Sequence, residues 1–489
     1  MSSPHKFGVQ HRSSLLVIWL LACGQIEKSA STRPLSFSVS TRRAALPTVV
    51  GACITAAMST DEETPPAETQ GFRSILRALG PGLITGAADD DPSGIGTHSQ
   101  VGAEFGYGLA WTFVLSFPLM VVIQEIAAEI GRVTGAGIAR NLRRHYPRFV
   151  LYFMISLLLV ANVVNLGADL SAMGAALALL VGGKPGLYTL LFGVVCVVLE
   201  VGLSYPQYSA ILKWATLSLF TYVAVVMVAH VPWARALRSL VVPELQFNAA
   251  YATAFVAILG TTISPYLFFW QAGQEIEEQH RHHAKPLCIT PKIAGAELRR
   301  IRIDTLVGMA FSTLISLAIV FATAATLNAS GVRDIATSSQ AAEALRPIAG
   351  QFAFAMFAVG IIGTGLLAVP VLAGSAAYAV TEMAGFAGSL DAKPLSAKLF
   401  YATIAITTLA GASLNVVGID PARALYWAAV VNGILAGPLM IMMMLIVSNP
   451  RAMGRLTISK GQQSLGWAAT IVMIAASALF LGFMIAGSN

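Results

Sequence analysis

The sequence predicts an all-α polytopic membrane protein of about eleven membrane-spanning helices, with the first and sixth helices interrupted. Two observations support this prediction. Of 489 residues, 56% are hydrophobic and only 11% are charged, whereas soluble domains carry about 25% charged residues. Two apolar stretches also contain helix-breaking segments: residues 87–94, with three consecutive aspartates and a proline, and residues 260–266, with a second proline.

The spans follow from apolar stretches long enough to cross about 30 Å of hydrocarbon. They are residues 76–105, 109–130, 149–181, 187–203, 210–229, 249–271, 305–327, 352–383, 399–417, 424–447 and 465–486. The first and sixth spans contain the two breaks. Proline and glycine interrupt the backbone hydrogen bonds there, and such a segment persists at membrane depth only where it is buried in protein or lines a polar cavity.

The charge of the connecting loops predicts the orientation. With a cytoplasmic N-terminus, the inner loops after spans two, six, eight and ten carry 16 Lys and Arg residues, and the outer loops after spans three, five, seven and nine carry 6. Positive residues concentrate in cytoplasmic loops. We therefore expect a cytoplasmic N-terminus, an external C-terminus, and insertion in a bacterial inner membrane.

The position of the two breaks predicts an inverted repeat. If the first ten spans form two halves of five, the halves have opposite orientations and each begins with an interrupted helix. Interrupted helices in corresponding positions of two halves point to a transporter's substrate site near the membrane midplane. The eleventh span then lies outside the repeat.

The first seventy residues are set apart as an N-terminal extension, and residues 71–489 form the membrane domain. Residues 29–43 are rich in Ser and Arg and contain no acid, as transit peptides do. The alternative is a translation start near Met58, which would leave a short cytoplasmic tail. The fold prediction does not depend on this segment.

Several motifs resemble those of the natural resistance-associated macrophage protein (Nramp) family of divalent-metal transporters. They are Gly80-Pro81-Gly82, Asp91-Pro92, residues 102–107, residues 124–135, residues 308–312, residues 373–386 and residues 448–454, and they appear in the family's order. The resemblance implies the leucine-transporter-type fold, metal uptake toward the cytoplasm and often coupling to protons. The resemblance extends over essentially all of the segment from Leu79 to Gly454.

The chain departs from the family at the positions that bind the metal. The family's DPGN motif in the first helix reads Asp91-Pro92-Ser93-Gly94 here, so glycine replaces the asparagine ligand. The MPH motif of the sixth helix reads Ser264-Pro265-Tyr266, without the methionine sulfur or the histidine linked to proton movement. The third helix keeps one acid, Asp169, of the family's acidic pair. These losses are similar to those of the family's magnesium-transporting relatives and indicate an outlying branch with weak or absent proton coupling.

The remaining ligand candidates are oxygen atoms. By motif, Asp91 is the direct ligand; Ser264 offers a hydroxyl, and the unwound backbone at Ala88 and Thr261 offers carbonyl oxygens. Hard oxygen ligands suit Mg²⁺ and Mn²⁺, whereas thioethers favour softer ions. Gly94 in place of asparagine enlarges the site, which suits a Mg²⁺ ion that keeps several waters. We expect a hard divalent ion as the substrate.

Other polar residues of the spans have two interpretations each. Successive helical positions point about 100° apart, so three adjacent carboxylates cannot all face one ion unless the backbone is unwound. Asp90 is either a charge near the ion or a protonated acid, and Asp89 either serves the ion path or hydrogen-bonds free amides at the break. Asp169 is an ion-path residue or a partner of a neighbouring asparagine. Asn432 lines the site or joins two helices, and Tyr266 belongs to the ion or proton path.

The sequence contains no nucleotide-binding, hydrolase or zinc-peptidase motif, so we expect no enzymatic activity and no cofactor besides the transported ion. The partners expected are the divalent ion and the lipid bilayer, with no nucleic acid. Two alternative functions remain: a secondary transporter of an organic solute with the same fold, and a non-transporting sensor built on an Nramp-like membrane domain.

Overall fold

The computed structural model describes residues 81–202, 220–228, 230–335, 338–343, 350, 353–386, 388–414 and 420–486, and the regular structure in these ranges is entirely helical. The predicted extension (residues 1–70) and most of the predicted fifth span (residues 210–229) lie outside the described residues.

The helices are α1 (Pro81–Asp89), α2 (Pro92–Phe105), α3 (Trp111–Thr134), α4 (Ile138–His145), α5 (Arg148–Val181), α6 (Pro185–Gly202), α7 (Phe220–Val228), α8 (Trp233–Val241), α9 (Ala249–Thr262), α10 (Pro265–Arg281), α11 (Ala294–Thr323), α12 (Ser338–Glu343), α13 (Ala353–Ala384), α14 (Lys398–Leu414), α15 (Pro421–Val447), α16 (Pro450–Met453) and α17 (Lys460–Ala486). A 3₁₀ turn (Pro291–Ile293) precedes α11, and a π turn (Ala324–Asn328) follows it.

Eight stretches within the described ranges are long and apolar enough to cross a membrane. They contain α3, α5, α6, the α9–α10 pair, α11, α13, α15 and α17, each at a predicted span. Helix α14 is apolar but only 17 residues long. The total of eleven spans stays a prediction.

Both predicted breaks are present. Helix α1 ends at Asp89 and α2 begins at Pro92, while α9 ends at Thr262 and α10 begins at Pro265. Proline is the first residue of each second half, where its missing N–H costs no helical hydrogen bond and its fixed φ suits the helix. Each span therefore consists of two short helices separated by two residues of extended or irregular backbone.

Three long helices surround the breaks. Helix α11 packs along α1 and α2, α15 packs against α9 and α2, and α5 contacts α2, α13 and α15. Glycines make two of these contacts close: a Cβ at Gly86 would collide with the backbone of Gly308, and one at Gly260 with that of Ala429. Small residues allow membrane helices to approach in this way, and they bring the polar residues of α11 and α15 toward the breaks.

Candidate functional site

Asp91 holds the start of α2 at the first break. It is the N-cap residue, with extended backbone (φ −68°, ψ 170°), and its Oδ1 accepts the Gly94 amide at 2.5 Å. The first amides of a helix lack partners within the helix, and a carboxylate here also faces the positive end of the helix dipole. The Asp-Pro pair therefore explains both why the first helix stops and where it resumes.

Asp169 reaches the same helix start from α5. Its Oδ1 accepts the Ser93 amide at 3.1 Å, and its Oδ2 has no hydrogen-bond partner among the described residues. Two neighbouring asparagines were the alternative partners expected from the sequence. Asn162 instead donates to Leu372 O and Ser375 Oγ on α13, and the Asn165 side chain has no hydrogen-bond partner among the described residues. The structure thus brings Asp169 to the break, where Asp91 and Asp169 fill the amide-capping role that the sequence left open for Asp89.

Ser264 occupies the second break and caps the preceding helix. Its hydroxyl donates to Thr261 O at 2.8 Å and to Gly260 O at 3.1 Å, two carbonyls near the end of α9. The hydroxyl hydrogen is therefore engaged within its own segment, while the oxygen lone pairs stay free to act as a ligand.

Tyr266 joins the two breaks. Its hydroxyl donates to Asp91 Oδ2 at 3.0 Å and lies 3.4 Å from Ala88 O. These are the carboxylate and the carbonyl that the sequence singled out as ligands. Tyr266 follows the first residue of α10 and is 1% exposed, so the packing around α10 fixes its position against α1 and α2.

Oxygen atoms from both breaks converge on the space beside Gly94. A Cβ placed on Gly94 would lie 3.1 Å from Asp89 O, 3.2 Å from Thr261 Oγ1 and 3.3 Å from Asp91 Oδ1. Three oxygen atoms therefore surround the position where Gly94 lacks a side chain. One of them is the Thr261 hydroxyl, which joins the candidate ligands; the sequence had pointed only to the Thr261 carbonyl.

Asp89 and Asp90 face α11. Ser312 donates to Asp89 Oδ2 at 2.7 Å, and Ser316 donates to Asp90 Oδ1 at 3.2 Å. Asp89 Oδ1 and Asp90 Oδ2 have no hydrogen-bond partner among the described residues. The two serines were not predicted to be neighbours of the site. Their four-residue spacing, which places them on one face of α11, is the signal that the sequence contains.

Acidic side chains are therefore concentrated at the first break. Asp89, Asp90, Asp91 and Asp169 are each 3% exposed or less. The ion pairs of the described ranges involve none of them. Burying an ionised carboxylate without a partner is costly, so a bound cation or protonation is needed to balance these groups.

Asn432 lies on α15, which packs against α2, α5 and α9. It is 1% exposed, and neither amide atom has a hydrogen-bond partner among the described residues. Joining two helices requires such a hydrogen bond, so the described contacts favour the alternative, a polar residue available to a ligand.

A cavity of about 330 Å³ lies beside α2. Ile95, Ser99 and Glu104 of α2 line it, and so do Arg423 and Asp334, which lie 3.9 Å apart. Because Ile95 is one helical turn beyond Asp91, the cavity lies near the first break along α2.

Solved structures with the same fold define the class of protein. The manganese transporter of Eremococcus coleocola superposes with a TM-score of 0.68 at 15% identity, over 84% of this chain and 87% of that one. Mhp1, a nucleobase-cation-symport-1 family transporter, superposes with a TM-score of 0.51 at 14% identity, over 82% and 92%. The predicted all-α, leucine-transporter-type fold with two interrupted helices is confirmed.

The family follows from the sequence profile described as natural resistance-associated macrophage protein-like, which matches residues 82–482. The chain belongs to this Nramp family, as its motifs predict. It is also 26% identical to the divalent metal cation transporter MntH of Klebsiella pneumoniae, over 84% of this chain and 94% of the relative. The MntH of Deinococcus radiodurans is likewise 26% identical, over 86% and 92%.

Proposed function

We propose that this protein transports a hard divalent cation, Mg²⁺ or Mn²⁺, toward the cytoplasm by alternating access around the two helix breaks. The named relatives are divalent metal cation transporters and the superposed structure is a manganese transporter. The proposed ligands are the Asp91 carboxylate, the Ala88 carbonyl, Thr261 and Ser264. Asp90 contributes charge beside them.

The observation that carries this proposal is the meeting of acidic and neutral oxygen atoms at the breaks. Asp91 supplies the anionic oxygen, and the Ala88 carbonyl and the Thr261 hydroxyl lie around it. Carboxylate, carbonyl and hydroxyl oxygens suit Mg²⁺ and Mn²⁺, and the family's thioether is absent. The absence of a side chain at Gly94 lets these oxygens approach one another closely.

An organic anion fits the same atoms poorly. Helix N-termini at such breaks bind anions through their free amides. Here the Ser93 and Gly94 amides already donate to Asp169 and Asp91. A carboxylate substrate would displace these groups and face four acids, so the cation transporter is favoured over the organic-solute transporter. The sensor alternative predicts binding without transport.

The direction of transport rests on the loop charges and the cavity. The cavity lies along α2 from Ile95 to Glu104, and the loop charges assign the C-terminal end of α2 to the outside. Entry from the outside is uptake into the cytoplasm of a bacterial inner membrane. Tyr266 in place of the family's histidine and Asp169 as the single acid of α5 favour weak or absent proton coupling.

Uptake by proteoliposomes tests the proposal. We expect Mn²⁺ uptake that a 100-fold excess of Mg²⁺ inhibits and that Asp91→Asn abolishes, because the amide keeps the shape and removes the charge. Glu200→Gln is the matched control: Glu200 is a buried acid of α6 with neither carboxylate oxygen hydrogen-bonded in the described part of the chain, and the variant should transport normally.

Normal uptake by Asp91→Asn, or no inhibition by Mg²⁺, would contradict the proposed site. A pH dye inside the same liposomes tests coupling: we expect Mn²⁺ to enter with little acidification. Acidification in proportion to the Mn²⁺ taken up would show proton coupling.

A further inference from the structure

The Tyr266 hydroxyl is in contact with two oxygens that would hold the ion. It lies 3.0 Å from Asp91 Oδ2 and 3.4 Å from Ala88 O. We propose that the Tyr266 hydroxyl oxygen is itself a ligand of the transported cation and makes the site prefer hard ions. This inference rests on the proposed function and deepens it.

The separations from the Tyr266 oxygen to Asp91 Oδ2 and to Ala88 O fit neighbouring corners of one coordination shell. Mg²⁺ binds six oxygens at about 2.1 Å in an octahedron, which places adjacent ligands about 3 Å apart. The two separations from the Tyr266 oxygen, 3.0 Å and 3.4 Å, lie at and slightly above this value. An ion against Asp91 Oδ2 and Ala88 O is therefore within reach of the Tyr266 oxygen after a small adjustment.

The change on ion binding is the loss of one hydrogen bond. The phenol hydroxyl donates to Asp91 Oδ2. When the ion lies between the two groups, rotation about the C–O bond turns the hydroxyl proton away. A lone pair of the neutral phenol oxygen then faces the ion. Tyrosine stays protonated, so no acid, base or further reactant is involved.

Burial argues that Tyr266 stays in place when the ion arrives. It is among the largest fully buried side chains described, at 1% exposure, and it is anchored at the start of α10 by the preceding proline. Moving the ring aside would require space in a close-packed interior. A tyrosine that cannot withdraw has to become a ligand or block the ion.

The expected selectivity follows from the ligand type. A phenol oxygen is a hard, neutral ligand, whereas the thioether and imidazole of the family's motif are softer. With Tyr266 the protein ligands identified here are all oxygens. We therefore expect Mg²⁺ and Mn²⁺ to be favoured over Cd²⁺ relative to a site with a sulfur ligand.

Titration of the purified protein with Mg²⁺ and Mn²⁺ tests this inference. Tyr266→Phe keeps the ring and removes the hydroxyl, and we expect both affinities to fall about tenfold, the loss of roughly one neutral ligand. Tyr107→Phe is the matched control, because the Tyr107 hydroxyl is buried, has no hydrogen-bond partner among the described residues, and lies outside the site. It should bind like the unsubstituted protein.

Two further measurements separate ligation from a structural role. Mg²⁺ binding should produce a tyrosine difference spectrum in the near ultraviolet that Tyr266→Phe lacks and Tyr107→Phe retains. Tyr266→Met should raise the affinity for Cd²⁺ relative to Mg²⁺, because it introduces a soft ligand. A Tyr266→Phe variant that binds Mg²⁺ as tightly as the unsubstituted protein, or more tightly, would overturn the inference and identify the hydroxyl as a competitor of the ion.

Titration of the Asp91→Asn variant distinguishes a failure of the proposed function from a failure of the proposed role of Tyr266. If Asp91→Asn binds normally, the proposed function fails. If Asp91→Asn loses binding while Tyr266→Phe keeps it, the metal site stands and the role of Tyr266 is wrong. Thermal unfolding of each variant shows whether the fold is kept.

Discussion

Gly94 shows at the residue scale how a missing side chain shapes a binding site. The space beside it is bounded by Asp89 O, Thr261 Oγ1 and Asp91 Oδ1. The Asp91 carboxylate beside Gly94 could be predicted from the Asp-Pro motif alone. The nearness of Thr261 Oγ1 could not be predicted, because it depends on how two helices more than 160 residues apart in the chain pack together.

Gly94→Ala should weaken Mn²⁺ binding about tenfold or more. The added methyl would lie 3.1–3.3 Å from three oxygens, so it would push these oxygens outward. Calorimetric titration measures the effect. Gly360→Ala is the control, since a Cβ there meets no atom within 4 Å, and an equal loss in both variants would contradict the expectation.

The serines of α11 show the limit of residue-by-residue prediction. Ser312 and Ser316 donate to Asp89 and Asp90, yet serine at four-residue spacing is common in membrane helices and indicates no particular partner. Tyr266 is similar: its position in the motif was evident, but its hydrogen bond to Asp91 depends on three-dimensional packing.

At the scale of elements, the sequence predicted both helix breaks because their causes are local. Asp91-Pro92 and Ser264-Pro265 each supply an N-cap residue and a proline at the first helical position, and these preferences act within one turn. The close pairing of α1 with α11 was not predicted, because it depends on glycines that meet only in the folded chain.

That pairing leads to a stability prediction. A Cβ at Gly86 would collide with the backbone of Gly308, which cannot rotate away as a side chain can. We expect Gly86→Ala to destabilise the protein by about 1–3 kcal/mol and to lower its melting temperature in detergent. Gly482→Ala on α17, where a Cβ meets nothing within 4 Å, should melt normally, and equal melting temperatures for the two variants would contradict the packing argument.

At the scale of the whole molecule, the two ends of the helix bundle differ. The cavity beside α2 lies toward one end. At the other end, ion pairs join α3, α10 and α11: Arg132 with Glu297 at 3.1 Å and Arg300 with Glu275 at 2.7 Å. The orientation predicted from the loop charges would place the cavity at the outer end and the ion pairs at the cytoplasmic end, and this orientation remains a prediction.

Accessibility of introduced cysteines tests this orientation. Thr253 lines the cavity, so Thr253→Cys should react with a membrane-impermeant maleimide added to intact cells. Ser459, beside the predicted cytoplasmic start of α17, provides the control: Ser459→Cys should react only after the membrane is permeabilised. The reverse pattern would invert the topology, and the unsubstituted protein gives the background.

The four buried carboxylates also connect the transport cycle to the membrane voltage. Each carboxylate that stays ionised in the metal-free protein carries a negative charge through part of the membrane field when the site changes sides. The full field is worth about 2.3 kcal/mol per charge at 100 mV. A potential that is negative inside drives such a charge outward, whereas the divalent ion offsets it in the loaded protein. The resting potential of the cell would therefore speed the return of the unloaded transporter and hold it ready for the next ion.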